Sequence, residues 1–213
     1  PITIDAPLSF NPSIRTSGGA IDASGIEGKT ELRTSGGDVN AARMSGVLSL
    51  HTSGGDIEVT EVNGPLTAYT SGGDVSARGI TGACTLTTSG GDVSAAAVRG
   101  DCVLKTSGGN ILADSLDGSL SAVTSGGNIE ACLRNQPRNA CELRTSDGNI
   151  VLSVPASISA ELSASTSGGN VKSGIPVKVF DTEKGKMEGT LGQGGPALTL
   201  RTSGGNIRIQ TLN

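Results

Sequence analysis

Leu104-Lys105-Thr106-Ser107-Gly108-Gly109-Asn110-Ile111 is the stretch that decides the fold, because the same phrase returns along the whole chain. Its threonine recurs at Thr16, Thr34, Thr52, Thr70, Thr88, Thr106 and Thr124, a spacing of 18 residues, and then at Thr145, Thr166 and Thr202. The copy at Thr145 has Asp147 in place of the first glycine. Ten copies joined without linkers in 213 residues describe one continuous repeat body over 1–213 rather than a set of globular domains.

With the threonine as origin, apolar residues stand two and four positions before it, as in Cys102 and Leu104 or Leu48 and Leu50, and alternate with polar ones. Period two is the mark of a half-buried strand. After the Ser-Gly-Gly turn, Val or Ile stands at plus five (Val39, Ile57, Val75, Val93, Ile111), and alanine or another apolar residue follows at plus seven. A further apolar residue comes at plus ten (Met44, Val62, Ile80, Val98, Leu116) and a glycine at plus twelve. Each unit therefore reads as strand, Ser-Gly-Gly turn, strand, glycine turn. A single unit cannot bury its apolar side, so the expectation is an all-β single-domain β-solenoid of about ten stacked layers. The inward rows are those at minus four, minus two, plus five and plus seven, and each threonine turns inward, its hydroxyl bonded to turn backbone or to the next threonine.

Three places break the rhythm. Residues 1–13 contain three prolines and the alternating Ile2 and Ile4, and read as an N-terminal edge strand and cap, with Phe10 over the first layer. The segment after Cys132, Leu-Arg-Asn-Gln-Pro-Arg-Asn-Ala, enlarges one turn, and Val154-Pro155 ends a strand in the next unit. Residues 174–197 form an insertion, read as a hairpin of 177–180 and 187–191 turned at Glu-Lys-Gly near the C-terminal end.

Composition narrows the function. Tyr69, Phe10 and Phe180 are the only aromatic residues, and the net charge is −4 with both signs interspersed. Without a basic stripe or stacking platforms, nucleic-acid binding is not expected. No apolar run approaches the roughly 20 residues of a membrane span. The chain begins at Pro1 rather than Met, which leaves room for a removed export signal or anchor.

No catalytic residues and no cofactor are assigned. The Ser-Gly-Gly segment lacks the lysine and following helix of a phosphate-binding loop and reads as a turn. His51, the sole histidine, stands in the outward row before the threonine with no serine or cysteine tied to it by motif. That row, Arg15, Arg33, His51, Tyr69, Thr87, Lys105, Val123, Arg144, Ser165, Arg201, is too irregular to match an ice lattice. The plus-four row runs Asp38, Asp56, Asp74, Asp92, then Asn110, Asn128, Asn149, Asn170 and Asn206. Turn amides bonding to these side chains are the simpler account, and a calcium ladder over Asp38, Asp56, Asp74 and Asp92 is the alternative. Cys84 and Cys102 share an inward row one layer apart, a separation a disulfide tolerates. Buried free thiols are nevertheless expected there, because in-register neighbours rarely aim their sulfurs suitably. Cys132 and Cys141 bracket the enlarged turn, and a bridge between them is the other option.

The repeated Thr-Ser-Gly-Gly-Asp/Asn-Ile/Val, the segment Val-Pro-Ala-Ser-Ile-Ser-Ala-Glu-Leu-Ser-Ala-Ser-Thr at 154–166, and the ending Gly-Gly-Pro-Ala-Leu-Thr-Leu-Arg-Thr-Ser-Gly-Gly-Asn-Ile-Arg-Ile resemble a bacterial adhesin-like family, a domain of unknown function with a β-solenoid fold. The resemblance implies a bacterial cell-envelope or secreted (periplasmic or extracellular) protein and brings no catalytic residues. The expected function is a non-enzymatic adhesin or structural rod that contacts a glycan or another surface protein through flat faces. A polysaccharide-active β-helix enzyme is the alternative.

Overall fold

The computed structural model describes residues 9–212; Ile2 and Ile4, read above as part of an edge strand, lie outside them. Every regular element in this range is a strand, and the strands form two sheets. The first sheet contains the strands that precede each Thr-Ser-Gly-Gly turn, and the second contains those that follow it. Ten strands run parallel in each sheet, paired residue for residue with the layer before, as in Cys102↔Cys84 and Val93↔Val75. This is the β-solenoid expected from the repeat.

The inward rows are as the alternation predicts. Leu32, Leu50, Leu86, Leu104 and Leu143 from the first sheet face Val39, Ile57, Val93, Ile111 and Ile150 from the second, all fully buried. Complete burial of one such aliphatic side chain is worth about 1.5–3 kcal/mol. The core is one continuous column, because each layer contributes the same few positions.

Strict alternation would turn position plus nine inward, yet the buried residue is at plus ten. The backbone resolves this. Gly25, Arg43, Glu61, Gly79, Ala97 and Ser115, all at plus nine, take left-handed conformations with φ between 53° and 72°. Each inverts the pleat and is skipped in the pairing, so that Ala42↔Thr60 is followed directly by Met44↔Val62. Both Ala41 and Met44 are thereby buried, as are Val59 and Val62. A stacked bend results, at about 1–2 kcal/mol for each non-glycine residue held there. In the seventh layer the bend disappears: Leu133 pairs with Leu116 and the enlarged turn begins.

The Ser-Gly-Gly turn is held by its threonine. Thr52 Oγ1 donates to the carbonyl of Gly37 in the preceding layer at 2.8 Å and accepts from the N–H of Gly55 in its own turn at 3.4 Å. The same pair of bonds recurs at Thr34, Thr88, Thr106, Thr124, Thr145, Thr166 and Thr202. Of the two options in the sequence, turn backbone rather than the neighbouring threonine is the partner. The two glycines of the turn are not equivalent. A Cβ on the second would penetrate the backbone of the equivalent glycine one layer below, whereas a Cβ on Gly54, the first, would meet nothing closer than 3.7 Å. Asp147 occupies that permissive first position.

The C-terminal layers depart from chain order. Simple stacking in sequence would place Ala160–Thr166 on Cys141–Arg144, with the last repeat outermost. Instead Ala197–Thr202 lies between them, pairing Leu143↔Leu200 on one side and Ala164↔Leu200 on the other. In the second sheet Ile207–Thr211 is likewise inserted between Ile150–Val154 and Val171–Ser173. The insertion makes this possible. Its hairpin, Val177–Glu183 and Lys186–Leu191, is longer than the sequence suggested and extends the first sheet antiparallel beyond Ala160–Thr166. The chain then steps back over Ser159 through Gly192, Gly194 and Gly195, all with positive φ, and the Gln193 N–H donates to Ser159 Oγ at 3.2 Å.

The enlarged turn braces this rearrangement. Gln136 accepts from the N–H of Ser159 at 2.8 Å and donates to its carbonyl at 2.7 Å, while Asn139 donates to Asp101 at 3.1 Å in the other direction. At the hairpin's outer strand Phe180 is the extra residue of a β-bulge and is 65% exposed. A bulge there blunts an otherwise open sheet edge. At the other end Phe10 is half-buried and its N–H donates to the Glu27 carbonyl.

Candidate binding faces

The flat outer side of the first sheet carries the residue before each threonine. In stacking order the row reads Arg15, Arg33, His51, Tyr69, Thr87, Lys105, Val123, Arg144, Arg201, Ser165 and, across the antiparallel pair, Lys186. His51 lies on Tyr69 with ring centroids 5.0 Å apart and planes 11° from parallel, so the one histidine packs as a ring in this row. Glu31 pairs with Arg15 and Arg33, Glu142 with Arg144 at 3.5 Å, and Lys186 with Asp181 and Glu188 at 2.9 and 3.4 Å. These are surface pairs, screened by solvent and salt.

Along the turn edge run two exposed ladders. One is the serine after each threonine, and the other is the Asx row. Asp38, Asp56, Asp74 and Asp92 each accept, through Oδ1, the N–H of the Asx residue one layer on, at 2.6–2.9 Å. The ladder continues through Asn110, Asn128, Asn149, Asn206 and Asn170, in that spatial order. Turn amides do bond these side chains, and the amide belongs to the next layer. Stacked carboxylates repel by about 1 kcal/mol per neighbouring pair in water, and the aligned N–H dipoles offset this. From Asn110 onward the side-chain amide also donates downward, as Asn128 Nδ2 does to Asn110 Oδ1 at 3.4 Å. Among the described residues no three His, Cys, Asp or Glu side chains converge in the manner of a metal site.

All four cysteines are free. The thiol of its in-register neighbour Cys84, together with burial, pushes the pKa of Cys102 far up. Burial also raises the Cys141 thiol, partly countered by the Leu120 N–H that donates to its sulfur at 3.4 Å. Cys141 faces the core of the first sheet, whereas Cys132 lies on the outer side of the second opposite Ser153, so no bridge clamps the enlarged turn. Asp101, beneath that turn, has its pKa lowered chiefly by the hydroxyl and N–H of Ser119, with Asn139 adding to the effect. Sequence reasoning missed this contact network, which draws on residues 38 positions apart.

Open depressions on the described surface include two beside these rows. One crosses Asp22, Asn40 and Glu58 on the second sheet, floored by small residues such as Ala42, and there Asn40 donates to Asp22 at 2.7 Å. The other, about 350 Å³, lies beside Arg144 and Arg201 and is bounded by Val123, Ser146, Ser165 and Ser203. Chain order would have put Ser165 next to Arg144. The inserted last repeat puts Arg201 there.

Among the described residues no helix is long and apolar enough to cross a membrane. Neither a curated protein nor a solved structure matches the chain. One family profile does, over residues 48–210, which takes in the repeats from the third onward, the enlarged turn and the C-terminal insertion. The chain belongs to the Toastrack DUF4097 family.

Proposed function

We propose that this chain is a non-enzymatic rod of the bacterial cell envelope or its surroundings, acting as an adhesin or spacer through its flat faces. The observation behind this reading is the first sheet's outer surface. It is a ten-layer row of mainly polar and cationic side chains with an open depression beside Arg144 and Arg201, and among the described residues the connections between its layers are short turns apart from the enlarged turn and the C-terminal insertion. Such a surface suits extended contact with a polymer or another surface protein, where many weak contacts add along the rod. Chemistry at one point calls for a nucleophile held by a base, and His51 is stacked on Tyr69 instead.

The test is a glycan array run beside a polysaccharide-cleavage screen on the same preparation. Retention without cleavage is the expected result, and release of cleavage products would overturn the non-enzymatic reading. Fractionation of the native host tests the location, with the protein expected outside the cytoplasm.

A further inference from the structure

We propose that the depression beside Arg144 and Arg201 is a binding site for a doubly charged tetrahedral oxyanion, a phosphate or sulfate group. This goes beyond the reading of the sheet faces as contact surfaces and does not depend on what else the rod touches. Arg144 and Arg201 are in-register neighbours on adjacent parallel strands, so their stems leave the sheet about 4.8 Å apart. Two like charges at that spacing repel each other and call for an anion. Within the described residues Arg201 makes no ion pair, and Arg144 has a single contact with Glu142, at 3.5 Å and about half exposed. The next cation along the row, Lys186, is already neutralised by Asp181 and Glu188.

The flanking residues leave room for a ligand. Val123 precedes the pair and Ser165 follows it, so two long side chains stand between two short ones. Ser146 and Ser203 line the same depression from the turn edge. Guanidinium groups bind phosphate and sulfate through paired N–H donors, and the serine hydroxyls supply further donors for the remaining oxygens. A tetrahedral oxyanion presents oxygens to both guanidinium groups and to the serines at once, whereas a carboxylate has only two oxygens to share among them. The site exists only because the last repeat is inserted into the stack.

Titration of the 213-residue chain with inorganic sulfate and with inorganic phosphate, at constant ionic strength and followed by NMR of the arginine Nε–H and backbone amides, tests the proposal. Saturable shifts are expected at Arg144, Arg201, Ser146 and Ser203, with acetate binding more weakly. Arg201→Gln and Arg144→Gln should each weaken binding about tenfold, the order expected for loss of one charge-assisted pair. Lys105→Gln, in the same row but away from the depression, should leave it unchanged. Thermal melts confirm that the variants remain folded. A sulfated polysaccharide and polyphosphate, compared on the wild type and Arg201→Gln, identify which group a polymer presents. Absence of saturable shifts at the arginines, or an equal loss in Lys105→Gln, overturns the proposal.

Discussion

The two glycines of each turn make opposite demands on the chain, and the third copy offers a clean comparison. In Gly55→Ala the new methyl group would collide with the carbonyl of Gly37, which already accepts the Thr52 hydroxyl at 2.8 Å. The obstacle is backbone in a paired layer, so the strain cannot be relieved by a rotamer change. Overpacking of this kind costs about 1–3 kcal/mol, and disturbing the threonine bond adds about 1 kcal/mol. A loss of about 2–4 kcal/mol follows, or on the order of 10 °C in melting temperature for a chain of this size. Gly54→Ala, one residue earlier, meets nothing within 3.7 Å and has no positive φ. Restricting the unfolded chain should make it neutral or more stable by about 0.4–1 kcal/mol. Urea unfolding of both variants, with calorimetry to check cooperativity, measures the contrast. Equal destabilisation at the two positions would refute the claim that interlayer contact, rather than turn conformation, fixes the second glycine.

Thr30 sits at a core position and its hydroxyl is buried without a partner among the described residues, so Thr30→Val should raise stability by about 1 kcal/mol in the same assay. Thiol labelling of the native protein should modify Cys132 alone, because Cys84, Cys102 and Cys141 are buried, and the unfolded chain without reductant should show four free groups; fewer would mean that a bridge forms. Since Asp38, Asp56, Asp74 and Asp92 each give Oδ1 to a backbone N–H, melting curves with calcium and with chelator should coincide, and a rise with calcium would support the ladder of bound cations.

Much of this fold is legible from the sequence because a solenoid repeats its instructions. The inward rows around Leu104 and Ile111 follow from alternation, and the turns follow from Ser-Gly-Gly. The left-handed residue at plus nine was hidden because its identity varies from Gly25 to Arg43 to Ser115, while its signature, an apolar step of three between Ala41 and Met44, was present. The order of the last layers could not be read from the repeats, since Leu143 is as good a neighbour for Ala164 as for Leu200. What selects the observed order is the hairpin, the three glycines that step back over Ser159, and the clamp of Gln136. The arginine pair was missed for the same reason: adjacency in the row was read from chain order, which the fold does not follow.

The order of the layers is therefore the claim on which the rest depends, and methyl NMR tests it most directly. Insertion of the last repeat places Ile207 directly beside Ile150 and on the near side of Val171. Strong nuclear Overhauser contacts are predicted between the Ile150 and Ile207 methyl groups and between those of Ile207 and Val171, with none between Ile150 and Val171. A direct Ile150–Val171 contact without one between Ile150 and Ile207 would mean that the repeats stack in chain order, and would contradict both the account of the C-terminal layers and the site built on them.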